Sequence, residues 1–151
     1  VLLYDRQRRI VAAVHAGWRG TVNRILAKTL HRMQSAYGTE GTDIIACIGP
    51  GISLDSFEVG DEVYEAFRTE NFPMEYISVW KPETHKYHID LWAANRLQLS
   101  DFGVPPRQIE NAGICTYRQH EDFFSARRLG IKSGRILSGI MLNGQEKEER
   151  K

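Results

Sequence analysis

The chain has 151 residues, 42% hydrophobic and 26% charged, the balance of an ordinary globular domain with one core. Twenty basic residues against nineteen acidic ones leave a formal charge of +1, so neither a nucleic acid nor an anionic membrane is indicated as partner. No apolar run approaches the roughly eighteen residues of a spanning helix, no signal-peptide pattern is visible, and the two cysteines, Cys47 and Cys115, form no pair motif, which suits a reducing cytoplasm.

Val1–Tyr4 and Ile10–Val14 are apolar runs around the polar "DRQRR", the pattern of a β-hairpin. From Thr21 the period changes: Val22, Ile25, Leu26, Thr29, Leu30 and Met33 recur at three- and four-residue steps, predicting an amphipathic helix that Gly38 ends. "DIIACIG" reads as a buried strand, with Cys47 as a small core residue. "GPGISLDSFEVG" reads as irregular, and Asp61–Arg68 as a short helix with Val63, Ala66 and Phe67 inward. "EYISVW" and "KYHID" are strand candidates around the turn "KPETH". Leu91–Phe102 is the second long helix, with Asp90 as its N-cap and Gly103 as its stop. "QIENAGICT" and "SGRILSGIML" complete the set as strands. The class is mixed, α+β, without a Gly-x-Gly-x-x-Gly fingerprint, a P-loop or an internal repeat. The chain opens flush on a core strand without a methionine, which implies the later part of a larger domain.

Chemistry concentrates in two stretches. In "AAVHAGWRGT" an apolar strand hands over to a helix through His15, Gly17, Trp18, Arg19 and Gly20. Glycines permit a tight turn and close backbone approach, and Arg19 stands near a helix start, whose free N–H groups favour an anion. His15 there reads equally as metal ligand or acid/base and as a strand-end histidine bonded to backbone, with Trp18 filling core. The second stretch is "CTYRQHEDFFSARRLGIKSGR". Phe123 and Phe124 read as core anchors, while Ser125, Arg127 and Arg128 are candidate anion contacts beside a glycine-marked loop. Ser125 lacks a Gly-x-Ser-x-Gly elbow, which argues against a nucleophile. His31 reads as a surface residue, and His85 and His88 as an exposed pair across a turn. Spacing alone builds no complete metal site from the five histidines.

Together, "HAGWRGT", "IGPGIS…FEVGDEV", "HIDLWAANRLQL" and "CTYRQHEDFFSARR…GR" resemble the YfiH/YlmD family, from His15 to Leu142 and in the family's order. That family has been described as laccase-like polyphenol oxidoreductases and as zinc-dependent purine nucleoside phosphorylases. The resemblance implies a layered α/β/β/α arrangement of mixed sheets, with residues 1–142 as one domain and 143–151 as a polar tail. It implies zinc held by two histidines and one cysteine, of which His15 matches one. The other histidine and the cysteine belong to stretches upstream of Val1, so the chain corresponds to the C-terminal part of the domain. Cys47 and Cys115 do not replace the absent thiolate. Gly51, Asp55 and Ser56 stand where the family's loop often carries extra cysteines, which weakens a copper-thiolate reading.

The implied activity is phosphorolysis of adenosine, inosine, guanosine and methylthioadenosine to free base and ribose 1-phosphate, with adenosine deamination at the same site. Phosphorolysis needs donors, arginines above all, to hold phosphate against the anomeric carbon; Arg19, Arg127 and Arg128, with Ser125 beside them, are the candidates for phosphate or substrate contacts. Deamination needs a hydroxide at neutral pH, which zinc generates from water. Three alternatives stand beside this one. A copper-dependent polyphenol oxidase needs histidine clusters that five scattered histidines do not provide. A non-catalytic fragment or interaction module fits the absent upstream ligands. A cysteine hydrolase needs the absent cysteine.

Overall fold

The computed structural model describes residues 1–144; residues 145–151, most of the expected polar tail, lie outside the described residues. The expected hairpin is present as β1 (Leu2–Asp5) and β2 (Ile10–Ala13), with Leu2 opposite Ala13 and Asp5 opposite Ile10. Asp5 shapes its turn: Oδ1 accepts from the amides of Gln7 and Arg8 at 3.0 and 2.9 Å, a short polar side chain standing in for a backbone turn. On its other side β1 pairs antiparallel with β3 (Ile44–Ile48), and β3 pairs parallel with β7 (Ile109–Asn111). The sheet is therefore mixed, in the order β2-β1-β3-β7.

One face of this sheet carries Leu3, Ile44, Ala46 and Ile48 into the first core, under Leu26, Leu30 and Met33 of α2 (Ile25–Tyr37). The opposite face is not sealed. Ile45 is exposed and Cys47 half-buried, so β3 buries one face only and Cys47 is not the core residue expected from its apolar run. A strand alternates its side chains between faces, and a continuous apolar run does not say whether both are covered.

A second, antiparallel sheet has the order β4 (Glu58–Val59), β6 (Lys86–Ile89), β5 (Ser78–Lys81). Val63 and Phe67 of α3 (Asp61–Thr69) pack with Phe57, Val59 and Ile89 in a second core. Ala66 is only partly buried at its edge. The helix α5 (Leu91–Asp101) serves both cores, giving Leu99 to the first and Leu91 and Ala94 to the second. Its N-cap is Asp90 as expected, accepting from the Ala93 amide at 2.9 Å.

Four expectations need correction. The helix expected from Thr21 is two: α1 (Trp18–Val22) and α2, separated at Asn23 and Arg24. Arg24 adopts a left-handed backbone (φ 57°) that lets its guanidinium lie 3.6 Å from the Phe72 ring centroid and donate to the Glu70 carbonyl. Tertiary contacts there override an unbroken hydrophobic period. The first half of "EYISVW" is a helical turn, α4 (Met74–Ile77), begun by Pro73. The stretch "GPGISLDSFEVG" is not wholly irregular, since it holds a 3₁₀ turn at Leu54–Ser56 and the strand β4. Finally, "SGRILSGIML" is not a strand. It runs as coil with Leu137 and Met141 at 95% and 82% exposure, because strand propensity forms a strand only where a partner edge takes up the ladder. No helix among the described residues is long and apolar enough to cross a membrane.

Candidate functional site

Between the end of β2 and the start of α1 the chain turns through Val14, His15, Ala16 and Gly17. Val14 is buried, but His15 is exposed. No hydrogen bond among the described residues engages its ring, so both nitrogens are open to a ligand. The two flanking glycines have a steric reason. A Cβ on Gly17 would stand 3.1 Å from His15 Nε2, and one on Gly20 would stand 3.2 Å from the His15 carbonyl oxygen and 3.1 Å from Ile25 Cγ2. The turn is tied from within by Thr21, whose amide donates to the Gly17 carbonyl at 2.8 Å and whose hydroxyl donates to the Ala16 carbonyl at 3.0 Å. Trp18 is half-buried on the second core, as its core-filling role requires. The exposed Arg19 lies over it, 4.3 Å from guanidinium carbon to ring centroid.

The second candidate group sits on α6 (Ala126–Leu129). Ser125 is its N-cap, 5% exposed, its Oγ accepting from the Arg128 amide at 3.3 Å. That bond makes it a capping residue rather than an open hydroxyl. Arg127 donates to the Glu58 carbonyl at 2.7 Å and lies over Phe57, while Arg128 reaches the Tyr117 hydroxyl at 3.4 Å and lies over that ring. Each guanidinium keeps donors beyond those contacts. Phe124 is not the core anchor expected: it is 54% exposed and covers Gly134, where a Cβ would lie 2.7 Å from its ring. Phe123 is only half-buried. The structure thus places His15 with Arg19 on one turn and Ser125, Arg127 and Arg128 on another. Their aromatic supports, Trp18 and Phe57, belong to the same core. No hydrogen bond among the described residues joins the two groups.

Two features were not legible as functional from sequence. Cys115 is 5% exposed, and its sulfur lies 3.1 Å from Ser53 Oγ, 3.4 Å from the Ser53 amide and 3.6 Å from Ser56 Oγ. Burial pushes the thiol up, but the Ser53 hydroxyl and amide, with Ser56 and the Arg118 amide, outweigh it and bring the pKa down to about 7. The cysteine and its donors lie far apart in the chain, and the Gly51–Cys115 bridge, with the Arg118–Asp55 ion pair, brings the two loops together. His88, expected as half of an exposed pair, is buried in β6, its Nδ1 2.9 Å from the Leu54 carbonyl and its Nε2 3.8 Å from Glu58. Only His85 of that pair is exposed. His31 lies on the surface as expected, edge-on to Phe102.

The donor set can be tested against a metal. His15, exposed and unclaimed, fits the part of one ligand, but the described residues contain no group of three or more His, Cys, Asp or Glu side chains able to hold an ion. They do not form a metal site by themselves. A cavity of about 90 Å³ between α2 and α5, lined by Arg24, Ala27, His31, Gln98, Asp101 and Phe102, includes none of the candidate residues and is far below the size of a nucleoside pocket.

The family model described as multi-copper polyphenol oxidoreductase laccase matches residues 1–143. A purine nucleoside phosphorylase of Bacteroides thetaiotaomicron is 63% identical over 143 residues, covering 95% of this chain and 53% of its own length. Adenosine deaminase RL5, from an unknown prokaryotic organism, is 50% identical over 93% of this chain and 53% of itself. Among solved structures, the hypothetical protein YfiH of Bacillus licheniformis superposes with a TM-score of 0.77 at 32% identity, over 84% of this chain and 48% of that one. YlmD from Geobacillus stearothermophilus gives 0.75 at 33% identity, over 84% and 47%. The chain spans about half the length of the relatives it matches.

Proposed function

Since the chain belongs to the multi-copper polyphenol oxidoreductase laccase family, we propose that it acts in phosphorolysis of purine nucleosides, with adenosine deamination as a second reaction of the same site. The names of its relatives support the two reaction types. The observation that carries the reading to particular residues is the exposed His15 ring, free of hydrogen bonds to the described residues, on a turn whose glycines keep space beside it. The substrates are adenosine, inosine, guanosine and methylthioadenosine, and the products free base and ribose 1-phosphate.

In the reaction a phosphate oxygen forms a bond to the anomeric carbon as the bond to the purine nitrogen breaks, and the departing base takes up a proton. Positive charge grows on the sugar and negative charge on the base. The exposed guanidinium of Arg19 is the group best placed to hold phosphate near His15, because it rests on Trp18 through its face and keeps its N–H donors outward. Arg127 and Arg128 offer their remaining donors to the same anion or to the ribose. Ser125 contributes by capping the helix that carries them.

His15 would serve as one ligand of a zinc ion, whose other ligands would have to come from outside the described residues and which would supply the hydroxide for deamination. What supports this reading is that the described residues offer the exposed His15 imidazole but no group of three His, Cys, Asp or Glu ligands. The test is release of hypoxanthine from inosine and phosphate, by the chain alone and by the chain mixed with the preceding segment of the Bacteroides relative. Turnover and bound zinc in the mixture only, with both lost in His15→Ala, support the proposal. Turnover by the 151 residues alone overturns the need for ligands from outside, and a His15→Ala mixture that keeps its zinc and activity overturns the role of His15. A mixture that binds copper and oxidises phenols returns the reading to the polyphenol oxidase.

A further inference from the structure

His15 is the least anchored part of its own turn, so its position depends on what holds the backbone beneath it. That backbone is held by a directed chain of hydrogen bonds from α5. Asn95 Nδ2 donates to Thr21 Oγ1 at 3.1 Å, and Thr21 Oγ1 donates in turn to the Ala16 carbonyl at 3.0 Å. Thr21 is fully buried and Asn95 is 2% exposed, so the bond between them is shielded from water, while the bond to the half-buried Ala16 is partly so.

The direction of the chain is fixed at both ends. The second proton of Asn95 Nδ2 goes to the Leu91 carbonyl at 2.8 Å, so turning the amide over would set its oxygen against a carbonyl. The structure keeps the donor side toward Thr21 even though Asn95 Oδ1 is then buried without a partner among the described residues. An unpaired buried acceptor is costly and persists only where the surroundings over-determine the orientation. One helical turn later Gln98 repeats the pattern, accepting from the Ala27 amide at 3.2 Å and donating to the Thr21 carbonyl at 3.4 Å. Both amides brace the junction between the His15 turn and α2.

We infer that Thr21 and Asn95 are positioning residues for His15, a buried relay by which α5 sets where the imidazole stands. The inference rests on the role given to His15 above. The relay needs a side chain at residue 21 that accepts and donates at once, and a neutral amide at residue 95. Threonine and serine meet the first demand and valine does not. Asparagine meets the second, whereas an ionised aspartate can only accept and would draw the Thr21 hydroxyl away from Ala16.

The test compares Thr21→Val, Thr21→Ser and Asn95→Asp by backbone amide exchange and ¹⁵N relaxation on the chain itself. In Thr21→Val and Asn95→Asp the protection factor of the residue 21 amide falls at least tenfold, and order parameters over residues 15–17 drop from the rigid range near 0.85 toward about 0.6. Protection at Leu3 and Ala46 in the first core stays unchanged, and Thr21→Ser keeps the wild-type values. Unchanged order over residues 15–17 in Thr21→Val or Asn95→Asp, or a Thr21→Ser chain no better than Thr21→Val, overturns the relay. So does an equal loss of protection at Leu3 and Ala46, which marks a purely structural role. If Thr21→Val does not fold, Asn95→Asp, of matching size, carries the test. These readouts do not use zinc or turnover, so a failed His15→Ala assay removes the functional role of the relay while its hold on residues 15–17 is judged separately.

Discussion

Replacing Ser53 by alanine removes the shortest donor to the Cys115 sulfur, the hydroxyl at 3.1 Å, and leaves the Ser53 amide at 3.4 Å and Ser56 at 3.6 Å. The thiol stands at about 7 against an ordinary value of 9.0, so near pH 7 about half of it is thiolate. A hydrogen bond to an ionised acceptor contributes about 1.5–3 kcal/mol, which at about 1.4 kcal/mol per pKa unit is roughly one to two units. Ser53→Ala should therefore titrate at about 8–9. The assay is the ultraviolet absorbance of the thiolate against pH, in a Cys47→Ala background so that one sulfur is observed. Stability carries the same signature. The folded thiol ionises at lower pH than the unfolded one, so between the folded value of about 7 and the ordinary 9.0 the unfolded chain holds more protons. Stability from this group is absent below that window, grows with pH through it and is complete above it. The ceiling is about 2–3 kcal/mol, and Cys115→Ser should lose the slope. A wild-type absorbance step centred near 9, or one that Ser53→Ala does not move, would refute the reasoning.

Gly41→Ala should cost upwards of about 2 kcal/mol in urea denaturation, because its Cβ would lie 2.5 Å from the Gly103 carbonyl carbon and 2.6 Å from the Phe102 oxygen, both backbone atoms. Phe67→Ala should cost about 3–5 kcal/mol by the same measurement and Phe124→Ala under about 1, since the first is fully buried and the second mostly exposed. For Asp5, burial pushes the carboxyl up, but the Arg8 and Gln7 amides and the Arg8 guanidinium hold it below the ordinary carboxylate value. Its stabilisation is present above the unfolded pKa of about 4 and lost as pH falls through the folded one, so thermal melts of Asp5→Asn should show a flatter decline in acid than wild type.

The strongly local features of the fold were readable from the sequence. The β1–β2 hairpin follows from two apolar runs around a charged turn, the end of α2 from Gly38 (φ 71°), and the start of α5 from the Asp90 cap. What failed depended on partners distant in sequence. Arg24 leaves the helical backbone for Phe72 and Glu70, and no three-residue period reveals that. The stretch "SGRILSGIML" has the composition of a strand but finds no ladder. Cys47 missed its expected core and Cys115 is the buried one, because the first lies on the open face of a strand and the second under a loop crossing. At the candidate site, the strand-to-helix position of His15 was readable from its glycines. The Asn95–Thr21 relay was not, because it joins residues 74 positions apart.

The left-handed step at Arg24 breaks the helical path between the turn carrying Trp18 and Arg19 and the long helix that fills the first core. A volume change at Leu26, Leu30 or Met33 that slides or rolls α2 therefore reaches the His15 turn through the Gln98 brace and the Arg24 contacts, not along a continuous rod. The angle at which the imidazole leaves the fold thus answers to α5, which holds Thr21 and the first turn of α2 at once.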